Sequence, residues 1–196
     1  MAIRLNGKRV LILGAETEIG RAVTTAVAEV GASVAAVAAA SDAEAAFAVQ
    51  RLARGLSAER KVIAQAIDAT NEAAVRVMVR QVSKELGGLD AVVLVTTEAA
   101  RQREFSMDLA RQYGGRELSR GGGGKLVIVW SMPATKPGEP VSGPAFKMEL
   151  RPPDVRPDEW TRGQNWTATF LQYAETMLSR AAADVVAAIA GEPDSG

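Results

Sequence analysis

The first hundred residues alternate short apolar runs with segments of helical periodicity, which narrows the fold more than any other feature. Arg9-Val-Leu-Ile-Leu13 is a continuous apolar run ending at Gly14, as expected of a strand buried on both faces. From Ile19 to Val30 the apolar residues Ile19, Ala22, Val23, Ala26, Val27 and Val30 recur at helical spacing, and Gly31 stops the segment. Ser33 to Ala39 reads as a second strand. Ser41 and Asp42 are N-cap candidates for a helix running to about Leu56. Lys61 to Ile67 predicts a third strand, Glu72 to Leu86 a third helix ended by Gly87-Gly88, and Leu89 to Val95 a fourth strand. Strands this apolar, separated by helices, imply parallel pairing through right-handed crossovers. The expected fold class is therefore α/β, a Rossmann-like doubly wound parallel sheet.

The second half is less regular. Arg101 to Ser119 predicts one short charged helix, and a run of four glycines leads into a fifth strand, Leu126 to Trp130. Seven of the eight prolines fall between Met132 and Pro157, so this stretch reads as an irregular loop. Residues 158–190 read as a C-terminal helical segment, one long helix or two. Its stripe is Phe170, Ala174, Met177, Ala181, Val185 and Ile189. The expectation is thus a single domain over residues 1–196, with about five strands and a long last helix.

Composition removes much chemistry. There is no cysteine and no histidine, which excludes disulfides, thiolate or imidazole metal sites, cysteine nucleophiles and Ser-His-Asp triads. Lysine plus arginine and aspartate plus glutamate both total 23, a balance that gives no electrostatic footprint for nucleic acid or an anionic membrane. The first residues carry no apolar leader, and the least polar stretch, Gly31 to Ala40, is too short to span a bilayer. A cytoplasmic location is expected.

The first strand–turn–helix reads Leu13-Gly-Ala-Glu-Thr-Glu-Ile-Gly20, and here the chain resembles the short-chain dehydrogenase/reductase family, whose motif is Thr-Gly-x-x-x-Gly-Ile-Gly. Asn6-Gly-Lys-Arg-Val, Asp68-Ala-Thr, Leu89-Asp-Ala-Val-Val and Gly122-Gly-Gly-Lys-Leu-Val-Ile-Val-Trp-Ser131 resemble further family segments. The likeness covers about residues 5–131. It implies cofactor contacts at Gly14, Ile19, Gly20, Asp42 and Asp68, with Asp68 meeting the adenine. It places Ser131 where the family has its carbonyl-orienting serine. With Ser41 and Asp42 after strand two and nothing basic beside them, the resemblance implies NAD rather than NADP.

The departures are as informative. The middle glycine of the motif is Glu18, with Glu16 close by. A side chain and a negative charge there oppose a pyrophosphate, whereas a glutamate in a first helical turn is otherwise favourable, so Glu18 is expected to cap an empty turn. The family's Asn-Asn-Ala-Gly after strand four is Val95-Thr-Thr-Glu98. Its Tyr-x-x-x-Lys pair does not follow Ser131 at the usual distance, where the chain has Phe146-Lys147. The nearest phenol, Tyr173, has Met177 four residues on, and a thioether cannot lower a phenol pKa from about 10. Tyr173 and Met177 are expected to pack.

The family also continues with two further strands and a pocket-closing loop, so the chain reads as a degenerate, C-terminally shortened member. An open sheet edge and the apolar stripe of the last helix then call for a cover supplied by a partner, unless that helix packs on its own sheet. Three functions stand open. One is a degenerate subunit beside an active paralogue in a hetero-oligomer, for which hydroxyacyl-CoA-type enzymes give a family precedent. The second is an active NAD-dependent oxidoreductase using Ser131 and Tyr173. The third is a stand-alone ligand-binding or regulatory protein.

Overall fold

The six-residue or shorter apolar runs of the first half do pair as a buried parallel sheet in the computed structural model, which describes residues 3–39, 43–57, 61–96, 106–132, 157–174 and 176–191. The strands are β1 (Arg9–Leu13), β2 (Ser33–Ala38), β3 (Val62–Ala66), β4 (Ala91–Thr96), β5 (Gly124–Met132) and β6 (Trp166–Ala174). They form one sheet in the order β3-β2-β1-β4-β5-β6, every neighbouring pair parallel. The order reverses between β1 and β4, which is the switch point where open α/β sheets leave a crevice at their carboxyl ends. The Rossmann-like class read from the sequence is the observed one, with one strand more than expected.

Helices cover both faces. α1 (Glu18–Glu29), α2 (Ala43–Leu56) and α6 (Leu178–Ala190) lie on one face, where Val23, Val27, Val49, Val185 and Ile189 meet Val10, Ile12, Val93 and Val127. α3 (Glu72–Leu86) and α4 (residues 106–120) lie on the other, packing Val75, Val79, Val82 and Leu118 against Leu11, Leu94 and Leu126. In α4, residues 106–109 are α-helical, Ala110–Gly114 make a π-helical turn and Gly115–Arg120 return to α. A short helix, α5 (Pro157–Thr161), precedes β6.

The second half corrects several expectations. Residues 158–190 are not one helical segment: β6 runs through Trp166–Ala174, and the last helix begins only at Leu178. The run Trp166-Thr-Ala-Thr-Phe-Leu-Gln-Tyr is rich in aromatic and β-branched residues, which suit a pleated surface better than a helix. Phe170 and Ala174 fell in phase with the true helical stripe by coincidence. One of the two strands expected to be missing is therefore present. The stripe Ala181, Val185 and Ile189 is buried beside α1 on the chain's own sheet, so it calls for no partner. Met177, expected to pack, is 46% exposed at the start of that helix. Ser41, Asp42 and most of the proline-rich stretch lie outside the described residues. Among the described residues no helix is long and apolar enough to cross a membrane.

One ion pair clamps the first strand to the fourth. The Arg9 Nε and backbone N–H both donate to Asp90 Oδ2 at 2.8 Å, and its Nη2 donates to Oδ1 at 3.1 Å. Hydrogen bonding from Arg9 holds the Asp90 carboxyl below the usual carboxylate range, against the opposing effect of burial. A carboxyl whose folded pKa is depressed contributes stability above its unfolded pKa of about 3.9, and loses it as pH falls through the folded value. Asp90→Asn is expected to lower stability at neutral pH by about 1–3 kcal/mol. Urea titrations should show the gap from the unsubstituted chain narrowing below about pH 4; a gap independent of pH would show that the charge is not what holds the strands.

Candidate functional site

The β1–α1 turn is built from backbone contacts that leave little room. Gly14 has a φ of +89°, and a Cβ there would stand 2.1 Å from the Val95 carbonyl oxygen on β4. A Cβ at Gly20 would stand 2.0 Å from the Gly14 carbonyl oxygen. The turn is anchored to β2, because Gly14 and Ala15 N–H both donate to the Val37 carbonyl at 2.9 and 3.0 Å. Thr17 caps α1: its hydroxyl accepts from Gly20 N–H and donates to the Gly14 carbonyl, both at 2.9 Å. Ile19, also expected beside a cofactor, is 1% exposed in the core under α1.

Two carboxylates complete the turn. Glu16 Oε2 accepts from Ala39 N–H at 2.9 Å, just past the end of β2, and Arg21 donates back to the Glu16 carbonyl at 2.5 Å. Glu18 stands in the first turn of α1 with its side chain 67% exposed, 3.9 Å from Arg21 Nη2. An acid in this position complements the helix dipole. The three glycine positions of the family's motif thus have different fates. The two whose Cβ would strike backbone remain glycine, and the one that packing leaves free carries a charge.

The other expected residues lie along the carboxyl edge of the sheet. Asp68 follows β3 and is exposed; its Oδ1 accepts from Thr70 N–H at 2.9 Å and from the Thr70 hydroxyl at 2.6 Å. Those bonds, the hydroxyl first, lower the Asp68 pKa. Asp42 lies outside the described residues. Ser131 of β5 and Tyr173 of β6, each one residue before the end of its strand, are direct partners in the parallel register. Ser131 is 2% exposed. Tyr173 is buried in the layer that α1 and α6 cover, where its hydroxyl donates to Asp184 Oδ2 at 2.7 Å. Asp184 also accepts from Arg180 Nε at 2.6 Å, so the phenol is tied to an ion pair on α6. Tyr173 therefore packs, as the sequence led one to expect. No group of three or more histidine, cysteine, aspartate or glutamate residues suited to a metal occurs among the described residues.

Sequence reading missed Tyr113, the other tyrosine. It sits in the π-helical turn of α4, and its hydroxyl donates to Glu72 Oε1 at the start of α3. That bond, with burial and the Glu72 charge, raises the Tyr113 pKa. No spacing in the sequence links residues 72 and 113.

The sheet and turn resemble those of solved dehydrogenases. A short-chain type dehydrogenase/reductase from Mycobacterium marinum is 29% identical over 67% of this chain, with a TM-score of 0.57. A short-chain type dehydrogenase/reductase from Mycobacterium ulcerans is 27% identical over 65% of it, with a TM-score of 0.55. A hydroxysteroid dehydrogenase from Escherichia coli, 24% identical, shares the fold over 65% of the chain with a TM-score of 0.56. The matched regions span 60%, 52% and 56% of those proteins' own lengths. No protein of curated function matches the chain. Residues 8–113, more than half of the sequence and all of β1 through β4, match the family described as short chain dehydrogenase, and the chain belongs to that family.

Proposed function

We propose that this chain does not carry out the family's hydride transfer alone and serves as a structural or regulatory subunit beside an active member in a hetero-oligomer. The assembled complex would be an NAD-dependent dehydrogenase, with a hydroxyacyl-CoA-type substrate as the class suggested by family precedent. One observation carries this reading. Glycine is kept at 14 and 20, where the fold itself demands it, and lost at 18, where only an approaching pyrophosphate would. A dinucleotide would meet Glu18 and Glu16 at the turn and find Gly20 N–H already taken by Thr17. The phenol chemistry is weakened in parallel. Tyr173 donates to a carboxylate, and the residue four positions on is Met177 rather than lysine.

A second reading, an active oxidoreductase with an unusual site, draws on the register of Ser131 against Tyr173 at the carboxyl edge. Calorimetric titration of the purified chain with NADH, alongside its light-scattering mass, separates the two. The first reading expects no saturable binding, and a mass that changes when an intact family member of the same genome is added. Saturable micromolar binding of NADH by the chain alone would sink it and make Ser131 and Tyr173 the residues to mutate.

A further inference from the structure

The face of the molecule opposite α1 carries an unbalanced concentration of positive charge. α3 presents Arg76, Arg80 and Lys84 at successive four-residue steps, and α4 presents Arg116 and Arg120 in the same way. The two rows line one groove of about 730 Å3. A recess of about 110 Å3 beside it reaches Tyr113 and shares both arginine pairs. Residues four apart on a helix are neighbours, so each row holds like charges side by side at a cost of a few tenths of a kcal/mol per pair.

Three acidic groups nearby are already engaged. Glu117, almost buried at the groove's floor, binds Arg120 at 2.6 Å. Glu72 accepts from Tyr113, and Asp108 lies 3.5 Å from Arg111. Among the described residues no carboxylate pairs with Arg76, Arg80, Lys84 or Arg116. All four are exposed on a chain whose formal charge is zero.

From this geometry we infer that the α3–α4 groove is a binding site for a small ligand bearing two or more linked phosphates. Guanidinium groups supply planar, two-pronged donors that match phosphate oxygens, and four of the five cations are arginine. The groove's volume falls in the range of small-molecule clefts, about 300–1,000 Å3. Val77 is the one apolar side chain lining the groove, and Val79 and Tyr113 line only the narrow recess beside it, which leaves little for an acidic protein segment to anchor on. The α3 row spans about 12 Å at 1.5 Å per residue, too short a track for a nucleic-acid backbone. A second copy of this face would bring like charges together. The site is separate from the β1–α1 turn, and its existence does not depend on whether that turn holds a dinucleotide.

Sodium tripolyphosphate, titrated calorimetrically into the full chain at low ionic strength, tests the site. Saturable binding is expected. It should weaken roughly tenfold or more in Arg80→Glu/Arg116→Glu, the scale of one lost charge-assisted bond. The neutral pair Arg80→Gln/Arg116→Gln should show a smaller loss. Arg51→Glu/Arg54→Glu on α2, across the sheet, should bind as the unsubstituted chain does. All these positions are exposed, so melting curves should stay close to that of the unsubstituted chain. Absence of saturable binding, or equal losses in the α2 and groove variants, would overturn the site. Tighter binding of a ten-residue polyglutamate peptide would overturn the phosphate class in favour of an acidic partner.

Discussion

Gly14→Ala is expected to cost the chain about 2–6 kcal/mol of stability, a large share of a domain margin of about 5–15 kcal/mol. Two separate effects add. The residue sits at φ +89°, where a side chain carries a strain of about 1–3 kcal/mol. Its new methyl would also stand 2.1 Å from the Val95 carbonyl oxygen, and relief requires β1 and β4 to part at the switch point. Forcing a methyl into well-packed surroundings costs about 1–3 kcal/mol more. Glu18→Ala, four residues on, is expected to change stability by well under 1 kcal/mol, since Glu18 is largely exposed and its contact with Arg21 is loose. Urea denaturation of the two variants measures the contrast. A Gly14→Ala chain within about 1 kcal/mol of the unsubstituted one would show that packing does not hold this glycine. The loss of Glu18's counterpart would then no longer distinguish the demands of the fold from those of a cofactor, and the proposal of a non-binding turn would lose its footing.

What the sequence revealed follows from how local each signal is. β1 through β4 are continuous apolar runs, and the helices between them begin at side chains that cap them, Thr17 and Asn71 among those described. Each such unit is legible within about fifteen residues. β6 was not, because Thr167, Thr169 and Gln172 interrupt its apolar residues and the alternation that starts it breaks at Phe170-Leu171. The turn at 14–20 was legible by motif, but the reason for its glycines was not. That reason is the distance to Val95 and to the Gly14 carbonyl, which only the fold supplies. The pairing of Ser131 with Tyr173 depends on a strand the sequence hid, and the bond from Tyr173's hydroxyl to Asp184 depends on where α6 packs. Likewise the cations of α3 and α4 read separately as solvated helix faces. They become a groove only because the sheet sets two helices side by side, bringing together cations at least thirty-two residues apart in sequence.

Glu18→Gly should raise the affinity for NADH by about five- to a thousandfold, the largest functional change expected of any single substitution here. A carboxylate about 4 Å from a phosphate oxygen costs about 1 kcal/mol in water and about 4 kcal/mol at an effective dielectric of 20. With the Glu18 side chain 67% exposed, the lower half of that range is favoured, and salt should compress it further. The substitution also removes the Cβ that keeps a ligand off the helix N-terminus, while the backbone donors and the Gly14–Val95 packing stay in place. Glycine in the first turn of α1 costs at most about 1 kcal/mol of stability, so a folded variant is expected. If binding appears, one charge at one position accounts for the closed turn, and the rest of the family's cradle is intact. Binding without turnover would then be the expected pair of results, because Tyr173 still donates to Asp184 and Met177 still stands where a lysine would be needed. If Glu18→Gly and Glu16→Gln/Glu18→Gly both fail to bind, charge is not the barrier. The departure that begins at the end of β4, where Val95-Thr-Thr replaces the family's polar, glycine-ended turn, would then be the next place to restore.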